Sequence, residues 1–243
     1  MIDKDVLRLP NLLASNYSAA YPFPYVSIDN FMDTYILDKV VEELKVYDNW
    51  STDSTEYVAG YQQNKWYTPH ALELDDIHTF RAKAPVTNMV LDYMYSPEAI
   101  TFLEDLTGIR GLIGDPELLG GGVHKIDRGG KLGIHADFNV HFRSGLWRRI
   151  NVLIYLNKDW SEQWGGNLEL WDKQLEQCRV KVTPVYNRAT IFNITDDHYH
   201  GHPHPLNTPP GVSRYSLALY YYTYDRPEHE KSPLHPVLWK DTP

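Results

Sequence analysis

The sequence contains a single cysteine, Cys178, among its 243 residues. One cysteine excludes an internal disulfide framework and a zinc site built from cysteine ligands. No apolar run approaches the roughly 20 residues that a membrane-spanning helix requires. The N-terminus also lacks the basic start and long apolar stretch of a secretory signal peptide. We therefore expect a cytoplasmic protein with no membrane partner, in which Cys178 is a packing residue.

Basic residues are scarcer than acidic ones. There are 23 lysines and arginines against 32 aspartates and glutamates, which leaves a formal net charge of −9. Proteins that bind nucleic acid usually carry a basic patch to meet the phosphates. The charge balance therefore disfavours a nucleic acid as the partner.

Helix signals predominate in residues 1–110. Apolar residues recur at helical spacing after Asp33, and Pro85 can open a second helix. Ser96 followed by a proline is an N-cap signal, and Gly108 marks the end of that third helix. We interpret this part of the chain as a mostly helical support.

Two segments of that part show neither a helical nor a strand period. Residues 1–20 are predicted to be a loosely held lead-in, and residues 47–76 a long loop or irregular strands. Long loops in compact domains are often functional. Trp66 and Tyr67 are therefore predicted either to pack within the loop or to touch a substrate.

Strand signals replace helix signals after Gly114. Many tyrosines and prolines, 18 and 16 in the chain, also favour β-structure with long loops. The predicted strands are 122–126, 132–138, 150–156, 167–171, 179–182, 190–194 and 214–223. This series indicates an antiparallel sandwich or jelly roll. We predict one domain over residues 1–243, with the jelly-roll core at 111–225 and a tail at 226–243.

A His-Ala-Asp sequence ends the second of these strands. His135 and Asp137 leave the same face of a strand because side chains two residues apart do so. A second histidine from elsewhere would complete two histidines and one carboxylate. This facial triad is typical of non-haem iron(II) oxygenases.

The missing histidine is predicted to come from residues 198–204, HYHGHPH, which contain four histidines. This turn follows the strand 190–194 and precedes the last long strand. One of its histidines can meet His135 and Asp137 if the two sheets close on each other. The alternative is an exposed loop whose histidines bind nothing.

Arg214 begins the last long, apolar strand, and Ser216 shares its face. A buried arginine requires an anionic partner, because an unpaired buried guanidinium is costly. A dicarboxylate co-substrate would satisfy it through two parallel hydrogen bonds. The alternative is a salt bridge to an acidic residue of the protein.

Several stretches resemble, in order, the iron(II)- and 2-oxoglutarate-dependent oxygenases of the prolyl 4-hydroxylase-like superfamily. The matching stretches are PFPYVSIDNF (22–31), FLEDLTGI (102–109), GGGVHKI (120–126), HAD (135–137), RRINVLIYLN (148–157), GGNLELW (165–171), YHGHPHPL (199–206) and RYS (214–216). The resemblance implies a mainly β fold with N-terminal helices around a double-stranded β-helix, or jelly roll. It also implies iron(II), 2-oxoglutarate and O2 as cofactors, with ascorbate as an optional accessory.

The resemblance assigns the metal ligands residue by residue. His135, Asp137 and His200 would bind iron. His200 is preferred because a glycine and a proline follow it in the family's His-Gly-x-Pro order, and His204 is the alternative. Halogenating relatives replace the carboxylate with a small residue, so Asp137 favours hydroxylation.

The resemblance also assigns the co-substrate contacts. Arg214, assisted by Ser216, would hold the distal carboxylate of 2-oxoglutarate. Asn151 stands where the family usually has threonine, and it would donate a hydrogen bond into the same pocket. The implied reaction converts 2-oxoglutarate to succinate and CO2 while a substrate C–H bond is hydroxylated.

The implied substrate is a prolyl residue in a peptide or protein. Trp147, Arg148 and Trp164 are predicted in or beside loops at the barrel mouth, as substrate contacts or as packing and ion-pair residues. Two alternatives remain: hydroxylation of a free amino acid or another small molecule, and a non-catalytic metal-binding jelly roll. No pattern in the sequence specifies an oligomeric state.

Overall fold

The structure, a computed structural model, describes residues 1–52, 60–69 and 74–241. Helices dominate the first part of the chain and strands the rest. The α-helices are α1 (Pro10–Ser18), α2 (Thr34–Val46), α3 (Leu74–Lys83), α4 (Pro85–Met94) and α5 (Pro97–Thr107). The strands are β1 (Tyr25–Ile28), β2 (Gln62–Thr68), β3 (Ile113–Gly114), β4 (Gly122–Ala136), β5 (Trp147–Tyr155), β6 (Leu168–Trp171), β7 (Cys178–Val182), β8 (Ala189–Asn193), β9 (His200–His202), β10 (Arg214–Thr223) and β11 (Leu238–Lys240).

The ends of α2 and α5 follow their capping residues. Asp33 Oδ1 accepts a hydrogen bond from the Ile36 amide at 3.1 Å and so satisfies one free N–H at the start of α2. Ser96 accepts from the Ala99 amide in the same way at the start of α5. Gly108 ends α5 with a φ of 74°, a left-handed conformation that favours glycine. The sequence predictions for these two helices are confirmed.

The prediction that residues 1–20 are a loosely held lead-in is wrong. Ile2 and Val6 are buried, and the segment continues into α1. The Tyr17 hydroxyl on α1 donates to Asn193 Oδ1 of β8 at 2.5 Å. Anchoring by single buried side chains leaves no periodic pattern in the sequence, and this is why the segment looked unstructured.

The predicted long segment 47–76 contains regular structure where it is described. β2 pairs antiparallel with β4, and α3 begins at Leu74. Residues 53–59 and 70–73 of the segment lie outside the described residues. Trp66 and Tyr67 lie on β2, so they belong to the sheet.

The strands form one antiparallel sheet in the order β1-β8-β5-β10-β4-β9-β6-β7. β2 and β11 pair with β4, and β3 pairs with β10. Apart from the hairpin of β6 and β7, neighbours in this order are distant in sequence, as expected of a jelly roll. The predicted fold class is confirmed.

β4 joins the two halves of the barrel. The sequence predicts two strands here, but the structure has a single 15-residue strand. Its first half pairs with β10 and its second half with β9 and β11. Gly129 and Gly130 lie between the two halves, and a Cβ on Gly130 would meet the Ile126 side chain at 2.6 Å. A side chain at position 130 would therefore not fit without a shift of its neighbours.

Alternating residues of β5 and β10 separate the hydrophobic core from the barrel interior. One face of these strands packs against the helices, and the opposite face lines a cavity. Each fully buried leucine or isoleucine contributes about 1.5–3 kcal/mol to folding. The buried residues of this interface include Leu37, Val40, Leu44, Val152, Ile154, Leu217 and Leu219.

The segment predicted as a tail packs back onto the barrel. β11 pairs with the end of β4, with Trp239 opposite His135. The Trp239 ring lies 5.0 Å from the His135 ring and stacks on Tyr61 at 5.2 Å. Among the described residues, no helix is long and apolar enough to cross a membrane.

Candidate metal centre and co-substrate pocket

Three buried side chains converge inside the barrel where β4 and β9 meet. His135 on β4 is paired with His200 on β9, and Asp137 follows two residues after His135. Their ligand atoms all lie within 4.8 Å of one another. Asp137 Oδ1 is 3.6 Å from His135 Nε2, and Asp137 Oδ2 is 3.4 Å from His200 Nε2. The three side chains can therefore face a single metal ion.

A glycine allows β9 to approach β4 this closely. A Cβ on Gly201 would lie 2.5 Å from the Gly133 carbonyl oxygen and 2.8 Å from that of Leu132. Real Cβ atoms do not come this near to backbone oxygens, so a larger residue would push the strands apart. The spacing between His135 and His200 depends on this contact.

Backbone carbonyls orient both imidazoles toward the centre. His135 Nδ1 lies 2.9 Å from the Gly133 oxygen, and His200 Nδ1 lies 3.1 Å from the His198 oxygen. A carbonyl oxygen only accepts, so each Nδ1 carries the hydrogen. Each Nε2 then presents a lone pair to the centre, as a metal-ligating histidine does.

The charges suit a divalent cation. Burial and the neighbouring His200 lower the pKa of His135. Burial opposes ionisation of Asp137, but the Arg148 guanidinium and the two histidines hold its pKa well below the usual range. At neutral pH His135 is therefore a neutral imidazole and Asp137 an ionised carboxylate, the forms that bind metal.

The other histidines of the 198–204 turn lie elsewhere. His204, the alternative ligand, has a side chain that is 78% exposed and lies 4.0 Å from Glu169. His198 stacks on Phe23 with ring centroids 4.5 Å apart. His202 is buried and lines the cavity beyond the three converging side chains.

Arg148 and Asn151 hold Asp137 in place. Arg148 Nη2 lies 3.0 Å from Asp137 Oδ2, and Asn151 Nδ2 donates to the same oxygen at 2.8 Å. Arg148 also donates to Asn151 Oδ1 from Nε and Nη2, at 3.0 and 2.9 Å. Its guanidinium lies over the Tyr220 ring, 3.5 Å from the centroid. Both contacts are to Oδ2, so Oδ1 of Asp137 has fewer polar contacts within the protein than Oδ2.

The predicted position of Arg148 requires correction. The sequence placed Arg148 in or beside a loop at the barrel mouth, as a substrate contact or an ion-pair residue. It lies in β5, points inward, is 1% exposed and pairs with Asp137. β5 begins at Trp147, earlier than the apolar run that starts at Ile150. Arginines at the start of a strand resemble loop residues in the sequence, and only the register with β10 shows that Arg148 faces inward.

One cavity is lined both by the metal-binding side chains and by Arg214. Arg214 and Ser216 lie on β10, and both face this cavity. Asn151 lines the cavity near Asp137. The cavity therefore joins the predicted metal ligands to the predicted co-substrate residues.

Arg214 is buried without a carboxylate partner. It is 4% exposed, and its Nε donates to the Gly166 carbonyl at 2.8 Å. Within residues 1–52, 60–69 and 74–241, no aspartate or glutamate oxygen lies within 4.0 Å of its guanidinium. The Tyr155 ring lies beside it, with the ring centroid 5.0 Å from the guanidinium. A buried guanidinium that lines a cavity without a carboxylate partner is suited to an anionic ligand.

Residues 121–222 match the family model of the 2OG-Fe(II) oxygenase superfamily. This part of the chain is a 2OG-Fe(II) oxygenase domain. This confirms the family predicted from the sequence motifs. Iron(II) and 2-oxoglutarate are the cofactors of this superfamily, and the converging His, Asp and His side chains and the unpaired Arg214 fit them.

Solved structures share the fold of the oxygenase domain and its helices. A prolyl hydroxylase from Trichoplax adhaerens, in complex with a hypoxia-inducible factor peptide, is 18% identical with a TM-score of 0.57. The alignment covers 90% of this chain and 91% of that one. HygX from Streptomyces hygroscopicus, with nickel, 2-oxoglutarate and hygromycin B bound, is 11% identical with a TM-score of 0.54, covering 88% and 92%.

A third similar structure is the α-ketoglutarate-dependent epimerase SnoN from nogalamycin biosynthesis. It is 14% identical with a TM-score of 0.56, and the alignment covers 96% of this chain and 95% of that one. No curated protein sequence matches the chain significantly. At these identities the structural likeness concerns the fold, which hosts more than one reaction.

Two predicted substrate residues lie at the edge of the oxygenase domain. Trp147 is half-buried at the start of β5, with the Arg226 guanidinium 5.5 Å from its ring. Trp164 lies in a 3-10 turn and packs edge-on against Trp160 at 5.3 Å. Neither residue lines the cavity of the oxygenase domain.

Four cavity residues with polar side chains were not among the predicted site residues: Lys65, His124, His202 and Tyr220. The same alternation that places Arg214 and Ser216 could have identified Tyr220, and the spacing from His200 could have identified His202. No sequence signal links Lys65 or His124 to the cavity. Both arrive through the pairing of β2 and β10 with β4.

Proposed function

We propose that this chain is a hydroxylase that acts on a prolyl residue of a peptide or protein. The observation that carries the proposal is the combination of a buried His-Asp-His cluster and a buried arginine without an acidic partner among the described residues, which line the same cavity. A metal-binding module without enzymatic activity would have no reason to keep Arg214 unpaired, because an unpaired buried charge is costly.

His135, Asp137 and His200 are the proposed iron ligands. Two neutral imidazoles and one carboxylate form the donor set of the facial triad, which leaves positions open for other ligands. Arg148 and Asn151 hold the carboxylate, and backbone carbonyls hold the imidazoles. This support keeps the three donors in place before a metal binds.

Arg214, Ser216 and Asn151 are the proposed co-substrate contacts. Arg214 binds the distal carboxylate of 2-oxoglutarate, and the Ser216 hydroxyl donates to the same group. Asn151 uses one amide hydrogen on Asp137, and its second amide hydrogen is left for the co-substrate. When bound, iron and 2-oxoglutarate supply oxidising chemistry that yields succinate, CO2 and a hydroxylated substrate.

The carboxylate of Asp137 supports hydroxylation within this chemistry. A carboxylate ligand takes up a coordination position that a halide would need. Its own charge is balanced by Arg148 inside the protein, so it stays ionised in the buried centre.

A prolyl substrate is supported by the sequence resemblance, in particular by the stretch RRINVLIYLN (148–157), and by the fold shared with the prolyl hydroxylase from Trichoplax adhaerens. The fold shared with HygX supports the alternative of a small-molecule substrate. Trp147 and Trp164 remain proposed substrate contacts at the barrel edge. Arg148, which is buried against Asp137, could reach only a substrate group that enters the cavity.

Mass spectrometry distinguishes these substrates. The iron-loaded protein is incubated with 2-oxoglutarate, O2 and either proline-containing peptides or a panel of free amino acids. We expect a mass gain of about 16 Da, one oxygen atom, on a prolyl residue of a peptide. A gain confined to a free amino acid would replace the prolyl assignment with the small-molecule alternative.

Succinate formation tests the activity itself. We expect succinate only when iron(II), O2 and 2-oxoglutarate are all present, and we expect no succinate from His135→Ala or Asp137→Ala. Turnover retained in either variant would contradict the proposed ligands. Metal binding without affinity for 2-oxoglutarate would favour the non-catalytic module.

A further inference from the structure

His202 lies in the wall of the cavity that the proposed metal ligands and Arg214 also line. It follows His200 by two residues on β9, so both side chains leave the same face of the strand. His202 is 4% exposed and lines the same cavity as Arg214 and Ser216. It does not belong to the cluster of potential metal ligands among the described residues.

Both ring nitrogens of His202 are unpaired. Nδ1 and Nε2 are buried, and neither forms a hydrogen bond with any other residue that the structure describes. His124 offers a comparison within the cavity, because its Nε2 lies 2.9 Å from the Gly120 carbonyl oxygen. Buried polar groups are nearly always paired, and a native exception requires an explanation. A ligand in the cavity would provide one.

The surroundings of His202 indicate the charge of that ligand. Arg214 and Lys65 are the cations of the cavity wall, and Ser216 adds a hydroxyl. Asp137, at the metal end, is the only acidic residue among the described residues that line the cavity. Histidine has at least one N–H donor in either protonation state. The group that fits this end is therefore an anion that accepts several hydrogen bonds.

We infer that His202 is a further co-substrate-binding residue, which donates a ring N–H to the distal carboxylate of 2-oxoglutarate beside Arg214 and Ser216. The inference rests on the proposed function, because it requires that the cavity bind 2-oxoglutarate. It adds a contact that the sequence motifs do not assign. The carboxylate receives donors from two strands, β9 and β10, so its position depends on the closure of the barrel.

Binding of two 2-oxo acids tests the inference without relying on turnover. Calorimetric titration of the manganese(II)-loaded protein gives dissociation constants for 2-oxoglutarate and for 2-oxobutyrate, which lacks the distal carboxylate. In His202→Leu we expect the dissociation constant of 2-oxoglutarate to rise about tenfold, the loss of one hydrogen bond to a charged group. That of 2-oxobutyrate should change less than about twofold.

Two further variants complete the test. His202→Asn keeps an N–H donor and should recover part of the lost affinity, whereas His204→Leu, on the exposed end of the same turn, should bind both acids as the wild type does. An unchanged affinity of His202→Leu for 2-oxoglutarate would overturn the inference. An equal loss for both acids would also overturn it, because it would point to a change at the metal end.

The result also separates the inference from the proposed function. If Arg214→Leu loses affinity for 2-oxoglutarate while His202→Leu does not, the co-substrate site stands and only the role of His202 fails. If the loaded wild-type protein does not bind 2-oxoglutarate, both fail. Should His202→Leu not fold, as judged by circular dichroism, the same comparison is made with His202→Asn against His202→Ala.

Discussion

The Arg148 guanidinium lies 3.0 Å from the carboxylate of Asp137, and both residues are buried. The acidic member of the metal centre is thus paired inside the protein before any metal binds. Removing one member of a buried ion pair leaves the other charge uncompensated, which usually costs about 3–5 kcal/mol. Arg148 is therefore expected to control both the charge and the position of Asp137.

Arg148→Met should weaken metal binding. Asp137 would lose its cationic partner, so its pKa should rise and metal binding should fail at a higher pH than in the wild type. We expect the dissociation constant for manganese(II) to rise about 10- to 100-fold at neutral pH. Calorimetric titration over a pH series measures this. Arg143→Met, at a half-exposed ion pair with Glu117, is the control. Equal manganese(II) dissociation constants for the two variants would contradict the prediction.

Arg214→Leu should weaken 2-oxoglutarate binding without affecting the metal. Loss of the charged hydrogen bonds is expected to raise the dissociation constant about 10- to 100-fold. Arg214→Lys keeps the charge but not the planar fork, so its constant should fall between those of Arg214→Leu and the wild type. Ser216→Ala should raise the dissociation constant for 2-oxoglutarate about fivefold. Arg110→Leu, at an exposed arginine, is the control. A loss of manganese(II) affinity in Arg214→Leu, parallel to its loss of 2-oxoglutarate affinity, would contradict the assignment.

Gly201→Ala should separate β9 from β4. The added methyl group would meet two carbonyl oxygens at 2.5 and 2.8 Å, so the strand must shift and His200 with it. A displacement of about 1 Å can cost about 100-fold in rate. Succinate formation and manganese(II) affinity are measured together. Gly145→Ala is the control, because its methyl group meets nothing within 4 Å. Its positive φ should lower the free energy of unfolding by about 1 kcal/mol, while succinate formation and manganese(II) affinity stay unchanged.

The stability of the protein should depend on the protonation of His198. Burial lowers its pKa to about 4, against about 6.5 in an unfolded chain. Between these values the unfolded state binds a proton that the folded state does not. The contribution of neutral His198 to the free energy of unfolding is therefore fully present above about pH 6.5. It is lost as the pH falls toward 4, by an amount on the order of 3 kcal/mol.

His198→Phe keeps a ring to stack on Phe23 and removes this titration. Chemical denaturation of both proteins at several pH values should show a smaller dependence on pH in the variant, between about pH 4 and 6.5. His229→Phe, at a side chain that is 82% exposed, is the control. Identical pH dependence in all three proteins would show that His198 titrates normally.

Features encoded within a few residues could be predicted from the sequence. The predictions of the caps of α2 and α5 are confirmed, because each capping residue acts on the next turn of the same helix. The shared face of His135 and Asp137 follows from the alternation of a strand, and so does that of Arg214 and Ser216. The N-terminal segment and β11 were missed because long-range contacts hold them, such as that between Tyr17 and Asn193.

The donor types, their order along the chain and the pairs that share a strand face can all be read from the sequence. Which histidine joins His135 and Asp137 depends on the folded barrel, because it follows from the register in which β9 pairs with β4. It also decided that Arg148 pairs with Asp137 and that Arg214 has no such partner in the described residues. Local alternation specifies the face of a strand, but the residues that meet across the barrel depend on how distant strands pair.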